Sequence, residues 1–280
     1  ILRICINDSE LRALQAQVNQ GDKTTCMTDV TLILDNGVTF TLTGSDLEDA
    51  KNDQKGYEKE VNYAVSTVAL TANGTVNDNT SITTLQNKDV KTAIPLEAEA
   101  KAVTTTTTGG QTVYSVTLEP KPHVARLEVF GEIKPEPNTN GKNAFESITV
   151  DQVYINNYLD TRNATKRHLC VTNGKDGFAA TPELKSEMND KIESTVLADF
   201  KAGKKVAGYQ LFPKKGNEKA EGEYFDHVIL KLNIKYSADA LKAKPELAKM
   251  TQRYVTIVRF MKSATKDLDG GFEAGMVYKL

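Results

Sequence analysis

The sequence predicts a mainly β chain of two β-sandwich domains, the C-terminal one carrying one or two short helices. Three observations point there. Short runs alternate apolar and polar residues and are separated by Gly, Asn, Asp and Pro turn signals. Strand-like runs do not alternate with regular helical patterns, which speaks against a doubly wound parallel sheet. The 280 residues suffice for about two domains of ~150 residues each. The polar stretch 160–166 marks the boundary, giving domains 1–162 and 163–280.

The elements follow in order. Residues 1–6 (ILRICI) read as a strand, with Leu2, Ile4 and Ile6 on one face and Ile1, Arg3 and Cys5 on the other. In 7–20, Leu11, Leu14 and Val18 have helical spacing and Asp8 or Ser9 can cap; a solvated linker is the competing reading. Residues 29–43 form a hairpin. A two-residue Asn-Gly loop would split its apolar residues over both faces. A three-residue loop pairs Leu34 with Val38, Leu32 with Phe40 and Val30 with Leu42, and places Gly37 in the left-handed conformation. Residues 45–59 are polar and read as a loop. In 61–72, alternation puts Val61, Tyr63, Val65, Thr67 and Ala69 on one face. Residues 73–91 are polar, with Gly74 as a turn signal. Strands at 94–103 and 113–118 flank the run TTTTTGG at 104–110, a hairpin tip or loose loop; a glycan-carrying stretch is the sharper reading.

Two long runs, 123–133 and 145–158, flank a Pro/Asn/Gly loop. The first puts Ala125, Leu127, Val129 and Ile133 on one side, and the second is rich in β-branched and aromatic residues. A short strand is expected at 168–171. A helix is expected over 181–200: Thr181 caps, Pro182 takes the first helical position, Leu184, Met188, Ile192, Val196 and Phe200 recur every four residues, and Gly203 stops it. Strands follow at 206–212, 225–236 and 253–261. Residues 237–250 are partly helical, interrupted by Pro245, and a last short strand lies in 272–280.

Composition narrows the function classes. A net charge of −2 and a pI near 6.0 give no basic surplus for nucleic acid, and no basic amphipathic segment marks a membrane surface. No run of ~18 apolar residues occurs. The chain starts at Ile1, which fits a mature or trimmed form. Cys5, Cys26 and Cys170 are odd in number and lack CxxC spacing, so at most one disulfide can form; buried free thiols are the default.

Catalytic and cofactor patterns are absent. His123, His168 and His227 are far apart, and neither GxSxG nor HExxH occurs. His168 and Cys170 share a strand face, but two ligands do not make a zinc site. Asp267, Asp269, Gly270 and Gly271 resemble part of a calcium loop without its further oxygen donors or distal Glu. Glu221, Glu223 and Asp226 are close in sequence, yet glycosidic chemistry needs carboxylates at a set separation across a cleft. Lys214-Lys215 read as a surface turn. The expectation is a non-enzyme with no cofactor.

The wording VARLEV (124–129) followed by FESITVDQVYINNY (145–158) resembles the fimbrillin-like subunits of type V pili in Bacteroides-type bacteria. So do Ile94-Pro95-Leu96 before them and the closing segments RYVTIVRF (253–260) and FEAGMVYKL (272–280). The order of these pieces, over most of the chain, carries the resemblance. It implies two transthyretin-like β-sandwich domains and export as a lipoprotein precursor to the outer surface of the outer membrane. It also implies a structural, adhesive role in a fimbria. A first strand is cut off after an arginine, and the groove it leaves accepts a strand from the next subunit's C-terminal region.

On that resemblance, residues 1–6 are the removable strand. The protease cleavage falls at Arg12-Ala13, with Arg12 as a solvated helix residue the alternative; Arg3 lies within the strand and is a worse candidate. The donor region is 253–261 with 275–280, its apolar side chains being Val255, Ile257, Val258, Phe260, Met276, Val277, Tyr278 and Leu280. Before assembly these are expected to be ordinary core strands of the second domain. Partners implied are other pilus subunits, an arginine-specific protease, and a host protein or glycan. A lipid-bearing N-terminal cysteine is absent from residue 1 onwards, and Cys5 sits in a strand-like run. The retained C-terminal strands favour a stalk subunit over a tip subunit, which needs no outgoing donor; an anchor subunit needs no cleavage, so the cut at Arg12 separates it. A monomeric surface glycan- or host-protein-binding lipoprotein is the alternative.

Overall fold

A computed structural model describes the chain except residues 20–26, 87–93, 139, 165–166, 174–182, 214–225, 259, 264–265 and 268–270. The chain forms two compact units. The first comprises Ile1–Thr80, Asn87–Arg126 and Glu273–Val277, and the second Ser81–Gln86, Leu127–Phe272 and Tyr278–Leu280. This division differs from the boundary expected at residues 162/163, because the run 145–158 pairs within the second unit.

In chain order the first unit holds β1 (Leu2–Ile6), α1 (Ser9–Gln17), β2 (Val30–Leu34), β3 (Thr39–Leu42), α2 (Gly44–Ala50), β4 (Tyr57–Lys59), β5 (Thr67–Ala72), β6 (Leu96–Ala102), β7 (Thr104–Thr108), β8 (Gln111–Leu118) and β9 (Lys121–Pro122). Two sheets result, ordered β4-β1-β8-β7 and β3-β2-β5-β6-β9. Each buries its alternate apolar residues. Leu2, Ile4, Ile6, Val116 and Leu118 come from one sheet, and Val30, Leu32, Leu34, Val68, Leu70, Ala72, Leu96 and Ala98 from the other. β8 approaches both β5 and β6, so the layers enclose one core, as in a sandwich.

The hairpin of β2 and β3 has the expected three-residue loop. Leu32 faces Phe40 and Val30 faces Leu42. Leu34 N donates to Val38 O at 2.9 Å, and Gly37 takes φ +79°. Residues 45–59 are not a loop throughout. They contain α2, whose Leu47 and Ala50 are buried one turn apart, and β4, which pairs with β1. Over 61–72 the expected face is wrong. Val65 is buried, but the strand then buries Val68, Leu70 and Ala72 instead of Thr67 and Ala69. The phase slips by one at Ser66, whose N–H donates to Asp35 Oδ2 and whose carbonyl accepts from Val103 N. The threonine run is an edge strand, β7, closed onto β8 by Gly109-Gly110.

The second unit contains β10 (Ala125–Val129), β11 (Phe145–Asn156), β12 (Tyr158–Leu159), β13 (Arg167–His168), β14 (Val171–Asn173), β15 (Glu183–Lys185), β16 (Asn189–Lys191), α3 (Leu197–Lys201), β17 (Ala207–Leu211), β18 (His227–Tyr236), α4 (Ala238–Ala243), β19 (Gln252–Ile257), β20 (Met261–Ser263), β21 (Lys266–Asp267) and β22 (Val277–Lys279), β10 and β22 starting in the first. The main sheets are β16-β11-β18-β19 and β17-β10-β22; β12-β13, β14-β15 and β20-β21 form two-stranded sheets. All five residues of β10 are buried, while Ile133 beyond it is exposed. Ser237 Oγ accepts from Ala240 N and caps α4.

The long helix expected over 181–200 is not formed. Thr181 and Pro182 lie outside the described residues. β15 and β16 occupy the middle, and only α3 is helical, with Phe200 buried and Gly203 at φ +70° stopping it. Two contacts win over the helix. Asn189, Asp190 and Lys191 pair with Tyr154, Val153 and Gln152 of β11. Ser186 Oγ donates to Ile155 O at 2.9 Å and accepts from Met188 N, bending the chain at Ser186.

Tyr158 is fully buried and stacks on His168 at 4.9 Å, and its hydroxyl meets no hydrogen-bond partner among the described residues. Burial raises its pKa above the ordinary 10.0, helped by Glu187, Asp160 and Cys170. The unfolded tyrosine ionises near 10 while the folded one does not, so its contribution to stability is full below pH 10 and is lost above it. Tyr158→Phe is expected to stabilise the protein by about 1 kcal/mol at neutral pH, by removing a desolvated hydroxyl. It is also expected to flatten the loss of stability above pH 10. Denaturant titrations at neutral pH and above pH 10 check both.

Candidate functional site

The first strand is an interior one. β1 runs antiparallel to β4, with Leu2 opposite Lys59 and Ile4 opposite Tyr57. It runs parallel to β8, from Leu2 opposite Tyr114 to Ile6 opposite Leu118. Tyr114 N donates to Ile1 O and Asn7 N to Leu118 O, both at 2.8 Å, which extends the ladder past both ends. Leu2, Ile4 and Ile6 are 0%, 0% and 1% exposed. Removing this one strand opens the edges of β4 and β8 together and uncovers the core between the two sheets.

The outer face of β1 is held by Gly56. A methyl group at Gly56 would lie 2.9 Å from Arg3 Nε and 3.2 Å from Cys5 Sγ. The glycine also takes φ +68°, a left-handed conformation costing other residues ~1–2 kcal/mol. Arg3 itself donates to Gln54 O at 2.9 Å. Gly56→Ala is therefore expected to loosen β1, speeding amide exchange at Leu2–Ile6 on the order of tenfold. Hydrogen exchange read by mass spectrometry checks it.

Arg12 lies in the middle of α1, the nine-residue helix that follows β1. Its side chain is 69% exposed, and Nε lies 2.8 Å from Asp8 Oδ1. Leu11 and Leu14 on the same helix are buried, as is Val18 at its end. The helix has no side-chain cap bond at Asp8, and so short a helix is marginal alone.

The expected donor residues lie on two outer strands and the segments beside them. β19 is the outer strand next to β18, with Leu230 opposite Val255 and Val228 opposite Ile257. Val255 and Val258 are 43% and 40% exposed, so they are not core residues, contrary to expectation; Ile257 and Phe260 are half-buried. β22 is the outer strand beside β10. Arg126 N donates to Met276 O, Leu280 N to Glu128 O and Phe130 N to Leu280 O, so the two strands run in the same direction. Met276 is 41% exposed, while Val277, Tyr278 and Leu280 are half-buried. Either strand can leave without splitting a sheet, as β1 cannot.

Phe272 was not singled out from the sequence. It is buried and contacts Phe260 at 4.9 Å and Tyr278 at 4.5 Å between ring centroids, tying both donor segments to one aromatic. Gly56 was also missed; its only sequence signal is a glycine before a short strand.

The residues weighed for chemistry are dispersed. His123, just after β9, pairs its Nε2 with Glu97 of β6 at 2.5 Å. His168 stacks on Tyr158, and Cys170, a free thiol, donates to Ile155 O while burial pushes its pKa up. Cys5 is likewise a free, partly buried thiol; Cys26 lies outside the described residues. Asp226 is buried against Arg167 at 3.4 Å, and Glu221, Glu223, Lys214, Lys215, Asp269 and Gly270 lie outside the described residues. Among the described residues no group of three metal-ligating side chains occurs, and no helix is long and apolar enough to cross a membrane.

No family model matches the chain, and no curated protein does. Solved structures do. A candidate cell adhesion protein from Parabacteroides distasonis is similar at 11% identity and a TM-score of 0.43, over 91% of this chain and 93% of its own. One from Bacteroides eggerthii is similar at 11% identity and a TM-score of 0.44, over 96% and 82%. A fimbrial assembly protein from Parabacteroides distasonis is similar at 13% identity and a TM-score of 0.33, over 89% and 80%. At these scores the functional reading rests on the strand geometry.

Proposed function

We propose that this chain is a structural subunit of a cell-surface fimbria of the type V pilus kind, a stalk subunit that assembles by proteolysis-triggered strand exchange and serves adhesion. The observation that carries the reading is the place of β1. It is set in the interior of a sheet and followed at once by an exposed arginine on a marginal helix. A cut after Arg12 makes β1 a separate peptide. Its departure leaves two open strand edges and an apolar groove shaped for alternate side chains, which strand addition satisfies.

Two outer strands with exposed apolar side chains, β19 and β22, supply the incoming strand from another copy or another subunit. Such a head-to-tail contact does not close and so propagates a filament. Delivery as a lipoprotein precursor to the outer membrane, and an arginine-specific protease as processing partner, belong to the same proposal.

Limited digestion with an arginine-specific protease, followed by N-terminal sequencing and an unheated denaturing gel, tests it. The expected result is a new terminus at Ala13 and a ladder of multimers that forms only after cutting. A chain that stays uncut and monomeric throughout would instead support an anchor subunit or a monomeric binding module.

A further inference from the structure

Among the described residues, one sheet edge in the first unit is open and uncharged. Residues 102–118 hold no Asp, Glu, Lys, Arg or His, whereas a chain that is 26% charged would place about four charges in such a stretch. The stretch folds as the hairpin of β7 and β8, and β7 is the last strand of its sheet, with all five threonines exposed. Outer strands usually carry a charge, a proline or a cover that blocks pairing with another chain. The others here do. β4, β16 and β22 are three residues long and contain Lys59, Lys191 and Lys279; β9 is Lys121-Pro122; β19 carries Arg253. β17 is covered by Gln86, whose side-chain amide bonds both Gln210 O and Gln210 N, and β3 has Lys59 over its Phe40 ring. Among the described residues, β7 has none of these.

The backbone parity of β7 is fixed by its turn. Gly109 and Gly110 have φ of +62° and +80°, a two-residue turn of the I′ type, so Thr108 and Gln111 form a hydrogen-bonded pair. Thr106 with Val113 and Thr104 with Ser115 then do the same, and the N–H and C=O of Thr105 and Thr107 point outward. Two bonds agree with this parity. Val103 N, next in the outward series, donates to Ser66 O, and Tyr114 N on β8 points away from β7 to Ile1 O.

We propose that β7 pairs antiparallel with β7 of a second copy of this chain, across a two-fold axis at Thr106. In that register Thr105 faces Thr107 of the copy and Thr107 faces its Thr105, so all four outward groups on each strand are satisfied. Thr106 faces itself as a non-hydrogen-bonded pair with Cα atoms about 4.5 Å apart. Threonine hydroxyls both donate and accept, and no like charges meet, so the surface complements itself. The copy's turn glycines curve away towards its own β8 where Ser66 closes the edge. Three residues per strand bury much less than the roughly 1,200 Å² of a stable interface, so this contact forms at high local concentration. It needs no cut at Arg12 and is independent of strand exchange.

Disulfide trapping in the uncut chain, with Cys5, Cys26 and Cys170 changed to serine, tests the register. Thr106→Cys is expected to form a covalent dimer at least about tenfold faster than Thr104→Cys, since only the first meets its own copy at disulfide distance. A mixture of Thr104→Cys and Thr108→Cys is expected to form the mixed dimer readily. The three threonines substituted on β7 are exposed, so these cysteines do not disturb the fold. Equal rates at all positions, or no dimer at Thr106→Cys, overturns the proposal.

Discussion

Changing Arg12 to alanine is expected to leave the chain uncut at that bond and monomeric under conditions where the parent forms multimers. The effect is all-or-none, because an incoming strand cannot displace β1 for good while β1 stays covalently linked to the rest of the chain. Leu2, Ile4, Ile6 and Leu11 are buried and lie on the peptide that a cut would detach. At roughly 1.5–3 kcal/mol per buried side chain they hold it with about 6–12 kcal/mol of burial. Cutting alone therefore leaves the peptide seated until a strand of comparable burial displaces it. The variant should keep the parent's thermal stability, since its exposed Arg12–Asp8 pair is worth less than about 1 kcal/mol. Native mass spectrometry before and after protease treatment reads both outcomes.

The second large effect is expected from the donor side. Met276 and Val255 are 41% and 43% exposed, so Met276→Glu with Val255→Glu should leave the monomer's stability within about 0.5 kcal/mol. In the groove vacated by β1 the same carboxylates would be buried and unpaired, at a cost of several kcal/mol. The double variant is expected to be cut normally after Arg12 and yet to form no multimers, and the single variants apportion the effect between β19 and β22. Gel filtration of cut protein and a denaturant titration of uncut protein separate assembly from stability.

Much of the first unit was legible in the sequence because its signals were local. The β2–β3 hairpin was readable to the residue: only a three-residue loop puts Val30, Leu32, Leu34, Val38, Phe40 and Leu42 together, and Gly37 tolerates the left-handed turn. The strand at 2–6 and the helix after it followed from alternation and from the spacing of Leu11, Leu14 and Val18. That β1 lies inside a sheet, parallel to β8 more than a hundred residues away, had no local signal at all.

The failures have physical causes. Leu184, Met188, Ile192, Val196 and Phe200 recur every four residues, and four is a multiple of two as well as close to 3.6. The spacing therefore did not exclude extended structure, and pairing of Asp190 with Val153 decided against the helix. At 61–72 the single irregular residue Ser66 reversed every inward and outward assignment after it. The run 104–110 read as a hairpin tip or loose loop; Gly109-Gly110 form the tip, but the threonines themselves are strand, since β-branched residues suit a pleated edge. The donor segments come from the resemblance, and the apolar character of their side chains does not tell an exposed outer strand from a core one; Val255, Val258 and Met276 are exposed.

The most direct measurement is the fate of the peptide Ile1–Arg12 after cutting. Cut protein would be separated by size under native conditions, and each fraction analysed for this peptide by mass spectrometry. Replacement of β1 by a strand from another subunit predicts one peptide per chain in the monomer fraction and progressive depletion in the multimers, leaving one copy at the filament's unfilled end at most. Multimers that retain one peptide for every chain would contradict strand exchange, since β1 would still occupy its groove.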